Sequence, residues 1–179
     1  MTSSFMEALY FEFENMPVRI VATRKIPEIK TPGLDVKEAD EGMELTVNLW
    51  VAWELIEAGL ARLSDGGVSD GEWTQTHYRE RIQPLGQPTP LPEDFYSRAY
   101  VTFRQAEKSA GDETSQASGR MKGRYRDIVE SRIAKIMRLA SAEAKSNFKG
   151  LQPEETALYD ELHKVIERWR NEMRELSGD

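Results

Sequence analysis

The side chains best suited to chemistry are few and poorly spaced for it. The only two histidines, His77 and His163, stand far apart with no metal-ligand spacing around either. His163 sits beside Leu162 in an amphipathic stretch, where a structural or exposed role explains it without a ligand. The chain has no cysteine, which removes disulfides, thiolate nucleophiles and thiolate metal sites and suits a reducing compartment. It contains no G-x-S-x-G elbow, no G-x-G-x-x-G turn and no G-x-x-x-x-G-K-[ST] loop. The acidic run KEADEGME lacks the alternating spacing of a calcium loop and reads as a solvated connection. These residues assemble no active site, so the expectation is a protein with no catalytic residue, no metal and no cofactor.

One stretch poses a real chemical choice. Residues 130–140 read ESRIAKIMRLA, with Arg132, Lys135 and Arg138 threaded through Ile133, Ile136, Met137 and Leu139. Residues 120–138 carry 7 basic against 2 acidic side chains, a local +5 in a chain of net charge −7. Such a segment either meets phosphates or packs among other helices. At about 100° per residue, Val129, Ile133, Ile136, Met137 and Ala140 cover one side, and Ile128 and Leu139 widen the arc to roughly 180°. Arg124, Lys135 and Arg138 fall on the opposite side, where solvation is the simpler reading and weak nucleic-acid contact the alternative. Arg132 lies inside the apolar arc and needs a carboxylate or carbonyl partner. The segment therefore reads as a packing helix with a modest basic back. Phe95, Tyr96, Ala99, Tyr100 and Phe103 also share a helical face. They suit stacking on single-stranded bases, but a stripe of helical period is primarily a burial signal.

The elements that position these residues follow from patterning. ALYFEFE alternates in the manner of a strand, and VRIVATR and MELTVN are short β-branched runs. Pro17, Pro27 and Pro32-Gly33 punctuate them. Asn48 caps an apolar helix, LWVAWELIEA, that Gly59 ends. SDGGVSDG (64–71) reads as a hinge, so the expected domains are a small β-rich unit with one helix at 1–65 and a helical unit at 66–179. Helices are expected near 70–82, 92–108, 120–147 and 152–176, giving an α+β fold. Proline followed by two acids opens two of them, at 91–94 and 151–155. The last carries the clearest stripe: Leu158, Leu162, Val165, Ile166, Trp169, Met173 and Leu176. The polar stretch 109–119 is expected to be mobile. No apolar run approaches the roughly 18 residues that cross a bilayer. The opening MTSSFMEALYFEFEN has neither a basic n-region nor a continuous apolar stretch, so no signal peptide and no membrane partner are expected.

Several blocks in this order resemble a family. VRIVATRKIPEI with GMELTVNLWVAWELIEAGLARL, then GEW, PTPLPEDFY, ESRIAKIMRLASAEA and LQPEETALYDELHKVIERWR are together similar to a GINS complex subunit of the β-domain-first class. The R-I-A-K block places it nearer the Psf-two than the Psf-three type, and the compact charged sequence suggests an archaeal version. The resemblance implies a non-catalytic replisome component in a heterotetramer with a second GINS subunit of the helical-domain-first class. That assembly would bridge the MCM helicase and a Cdc45/RecJ-like protein at the fork, as an accessory of the CMG helicase. It also implies a cytoplasmic, nucleoid-associated location in an archaeon or a nuclear one in a eukaryote. The expected subunit interface comprises Phe95, Tyr96, Tyr100, Phe103, Ile128, Arg132, Ile133, Ile136 and Met137. DNA contact is expected to be weak or confined to the complex, through Arg124, Lys135 and Arg138. A free-standing nucleic-acid-binding protein using helix 120–138 is the competing expectation.

Overall fold

The computed structural model describes residues 4–64, 67–83, 88–108, 112–142 and 150–177. It divides into two compact units, Met1–Gly67 and Val68–Asp179. Parts of the expected hinge (65–66), of the proline-rich connection (84–87), of the polar stretch (109–111) and of the region after the central helix (143–149) lie outside the described residues.

The first unit is organised by alternation. Strand β1 (Pro17–Ala22) is central in an antiparallel sheet ordered β4-β1-β5, between β4 (Glu44–Asn48) and β5 (Ala61–Leu63). Ile20 pairs with Leu45 on one side and Leu63 on the other. Ile20 and Ala22 point inward, as the period of two requires, and pack with Val51, Ala52 and Leu55 of helix α2 (Leu49–Glu57). Strands β2 (Ile29–Thr31) and β3 (Leu34–Val36) form a separate hairpin. Its turn, Pro32-Gly33, puts proline where φ is fixed and glycine at φ 91°, a conformation other residues resist. Asn48 stands at the N-cap of α2 as expected, although its side chain makes no cap bond. Gly59, at φ 71°, ends the helix: its N–H donates to Ile56 O and that of Leu60 to Leu55 O, a Schellman arrangement. The three-residue strand β5 follows, too short for its period to show in the sequence.

The expected N-terminal strand is a helix, α1 (Ser4–Asn15). An alternating strand would bury Leu9, Phe11 and Phe13 together. Instead Leu9 and Phe13, one helical turn apart, are half-buried, while Phe11 is 70% exposed. α1 packs on α2, and Asn15 Nδ2 ties back to Phe11 O at 2.8 Å.

The second unit is helical: α3 (Asp70–Ile82), α4 (Phe95–Lys108), α5 (Asp112–Ala140) and α6 (Pro153–Ser177). Ser69 and Glu72 close a reciprocal capping box that starts α3. At α6 proline is the first helical residue, and Glu155 accepts from Gln152 N–H at 2.9 Å. The same signature misleads at 91–94. There Asp94 adopts φ 52°, so the acids form a turn outside the helix, and the Asp94 carbonyl accepts the first helical bond from Arg98 N–H. Residues 112–119, expected to be mobile, are the first turns of α5. That stretch has Ala117 as its only apolar side chain and continues a helix whose later turns are buried, so hydrophobicity could not reveal it. α5 ends at Ala140, short of the expected 147, with Ala142 N–H turning back to Leu139 O.

Candidate assembly surface

Trp73 of α3 centres the core of the helical unit. Its ring meets Phe95 edge-on at 5.4 Å, stacks on Phe103 at 5.8 Å and meets Tyr125 edge-on at 6.0 Å. The aromatic face of α4 is thus largely spent inside its own unit.

Beside this cluster lies a buried ionic hub. Arg132 and Lys135 of α5 and Glu80 of α3 and Glu155 of α6 are each at most 3% exposed. Arg132 Nε and Nη2 form a fork onto Glu155, both at 2.6 Å. Nη1 donates to Glu80 Oε1 at 3.0 Å and to the Thr89 carbonyl, and Nη2 also reaches Gly150 O at 3.4 Å. All five guanidinium donors are therefore used. Lys135 Nζ donates to Glu80 Oε2 at 2.6 Å, and Ser131 Oγ donates to the same oxygen at 3.0 Å. Tyr96 O–H closes the set on Glu155 Oε1 at 2.7 Å. Two cations and two anions balance, which is what allows four charges to sit in one interior. Burial pulls the Arg132 pKa down, but Glu155 and Glu80 outweigh it and the net shift is upward. Burial, with Glu155 alongside, pushes the Tyr96 phenol well above its ordinary value, so it stays a donor. Gly150 is required here. It adopts φ 126°, and a Cβ would come within 3.2 Å of Pro90.

The sequence anticipated a partner for Arg132, and the hub supplies it. It placed Lys135 wrongly: the side chain is 1% exposed and cannot touch nucleic acid. At about 60° from Arg132 around the helix, Lys135 lies at the rim of the apolar arc, close enough for its long stem to carry the ammonium to Glu80. Glu80 and Glu155 were missed, yet a signal existed. Glu80 shares the buried face of α3 with Trp73 and Thr76, and a carboxylate on such a face needs a cation. Of the other basic candidates, Arg124 pairs with Asp70 at 2.9 Å, and Arg138 is exposed. Arg124 also lines a groove of about 560 Å³ with Thr74, His77, Tyr78, Arg81 and Ile82, where His77 faces Asp127 at 3.0 Å. Two of its basic side chains, Arg124 and His77, thus already face acids, Asp70 and Asp127.

The expected interface residues separate in the same way. Phe95, Ile128, Arg132 and Ile136 are at most 1% exposed and covered by their own unit, leaving no surface for a partner. Tyr96, Tyr100, Phe103 and Ile133 are half-buried, and Met137 is 51% exposed. The open apolar surface lies elsewhere, on α6. Leu158, Leu162 and Ile166 are half-buried, but Val165, Trp169, Met173 and Leu176 are 51, 60, 39 and 79% exposed. α6 runs beside α5 from the Glu155–Arg132 pair to His163, whose Nδ1 donates to the last α5 carbonyl, Ala140 O, at 3.1 Å. Residues 171–176 beyond are exposed throughout. Among the described residues no cluster of histidine and carboxylate side chains is arranged to hold a metal ion, and no helix is long and apolar enough to cross a membrane.

A family model described as Sld5, the GINS complex protein helical bundle domain, matches residues 73–174, more than half of the chain. The match covers the helical unit from Trp73 almost to the end of α6. Among curated proteins none matches the chain.

Proposed function

The chain belongs to the GINS helical-bundle family, a family of replication complex subunits rather than enzymes, and on that premise we propose that it is a β-domain-first GINS subunit that assembles through the uncovered face of α6. One observation carries this reading. The apolar stripe of α6 continues past the end of α5, with Ile166, Trp169, Met173 and Leu176 at alternating spacings of three and four. Residues so large and so exposed on one helix face mark a surface awaiting a partner. The domain order supports the class, because a sheet-bearing unit precedes the matched bundle. The partner is then a helical-domain-first GINS subunit in a heterotetramer of the archaeal type. That assembly bridges the MCM helicase and a Cdc45/RecJ-like protein, and DNA contact is weak, through Arg124 and Arg138 within the complex. Ile133 and Met137 of α5 remain candidate edges of the interface, whereas the buried hub sets the angle at which α6 is presented.

The test is co-purification with a co-expressed helical-domain-first subunit. Trp169→Asp and Leu176→Asp should each weaken association by about 2 kcal/mol or more, roughly 30-fold, as the loss of an interface anchor does. Arg168→Ala, an exposed neighbour outside the stripe, should leave it intact. Circular dichroism should show all three folded. Normal assembly by both folded aspartate variants would overturn the α6 surface.

A further inference from the structure

α1 presents a second surface, on the other unit. Residues 4–15 contain three acids, Glu7, Glu12 and Glu14, and no basic residue. Folded as a helix, Glu7, Tyr10, Phe11 and Glu14 fall at i, i+3, i+4 and i+7 and share one face. Leu9 and Phe13 hold the helix from its other side. Phe11 is 70% exposed and Tyr10 47%, although the helix that carries them is docked on α2. Two neighbouring aromatic rings framed by carboxylates on a docked helix are pre-organised to bind.

The charge selects the partner. Residues 1–68 carry 6 basic and 12 acidic side chains, and none of the basic ones lies on α1. Carboxylates beside the rings repel phosphates, which excludes a nucleic-acid backbone and an anionic lipid surface. Glu7 and Glu12, both exposed, favour lysine and arginine opposite them, while Phe11 needs an apolar cleft. We propose that the outward face of α1 is a docking helix for a partner protein whose apolar groove is rimmed by basic side chains. This is the helix-in-groove mode, with Phe11 as anchor and the glutamates setting orientation and on-rate. It does not depend on assembly through α6.

The test uses the full chain and a designed helical hairpin with a leucine-lined groove rimmed by lysines, followed by calorimetry. The hairpin should bind, and rising salt should weaken binding. Phe11→Ala should weaken it about tenfold or more. Glu7→Lys combined with Glu12→Lys should weaken it and flatten the salt dependence. Glu7, Phe11 and Glu12 are exposed, so circular dichroism should show the variants folded. Trp169→Asp should change nothing; loss of binding there would put the hairpin on α6 and overturn the proposal. So would no binding at millimolar hairpin, equal binding of a glutamate-rimmed hairpin, indifference to Phe11→Ala, or preferential binding to oligothymidine or phosphatidylglycerol vesicles.

Discussion

The two units have interiors of opposite chemistry. Among the described residues, those buried in the sheet unit are all hydrophobic, from Ile20 and Ala22 to Val51 and Leu55, whereas every buried polar or charged residue lies in the helical unit. A sheet fixes its own register through the backbone ladder, so its core needs only side chains of the right size. Helices have no such ladder between them and can slide or rotate on a greasy face. The hub removes that freedom. Arg132 satisfies carboxylates on α3 and α6 at once, and only one mutual placement of α3, α5 and α6 does this. On the proposed reading, in which the far end of α6 meets a partner, a fixed helix angle is the property that matters.

The largest expected effect separates the two interiors directly. Lys135→Met keeps the stem and removes the charge, leaving Glu80 with less compensation. A broken buried pair typically costs 3–5 kcal/mol, so chemical denaturation should show the helical unit destabilised on that scale. Leu55→Met in the sheet core is a swap of similar volume and should cost less than about 1.5 kcal/mol. Equal costs at the two positions would refute the contrast. Lys135→Ala belongs with the damaging changes for the same reason, and Ile136→Asp is a folding variant before it is an interface one, because Ile136 is 1% exposed.

A smaller effect concerns how α3 is held. Ser69 Oγ accepts from Glu72 N–H at 3.3 Å, and the Glu72 carboxylate accepts from Ser69 N–H and from Arg98, at 3.0 and 2.9 Å. The Arg98 bond foremost, then the Ser69 amide, lowers the Glu72 pKa to about 2. A depressed carboxylate stabilises the fold above its unfolded pKa, near 4.5, and that contribution is lost as pH falls towards about 2. Ser69→Ala should cost about 1 kcal/mol at neutral pH. Glu72→Gln should flatten the loss of stability of the helical unit between roughly pH 5 and pH 2, followed by thermal unfolding. An unchanged acid slope in Glu72→Gln would assign the acid sensitivity to other carboxylates.

What the sequence reveals follows the range of the cause. The bounds of α3 and the start of α6 are legible because Ser69, Glu72 and Pro153 act within one turn of themselves. The need of Arg132 for a partner is legible because burial of a charge is costly whatever surrounds it. The partner of Lys135 is not, since Glu80 lies 55 residues away and only the packed helices bring them together. α1 failed for a different reason. Leu9, Phe11 and Phe13 satisfy a period of two, while Leu9 and Phe13 alone satisfy the i, i+4 spacing of a helix. Only the docking of α1 on α2 decides between them. The interface residues chosen from the sequence were apolar enough to meet a partner, but Phe95, Ile128 and Ile136 first meet their own unit.

The smallest effect tests the early turns of α5. The early part of α5 carries Gly119 and Gly123 inside a 29-residue helix, where each glycine costs roughly 0.5–1 kcal/mol relative to alanine. A Cβ at either position would meet nothing within 4 Å, so packing within the chain does not require glycine. Gly119→Ala and Gly123→Ala should therefore each stabilise the helical unit by somewhat less than about 1 kcal/mol, raising its thermal midpoint by a few degrees. The sheet unit should not respond. In the hub, by contrast, every change away from the native residue is expected to destabilise, so gain at α5's early turns and loss at its middle would divide one helix into a tolerant and an intolerant half. If alanine there stabilises the isolated chain yet weakens its complex with a second GINS subunit, a close backbone approach by the partner is what the glycines serve. A stability loss in the isolated chain would instead show that these turns are not helical in solution.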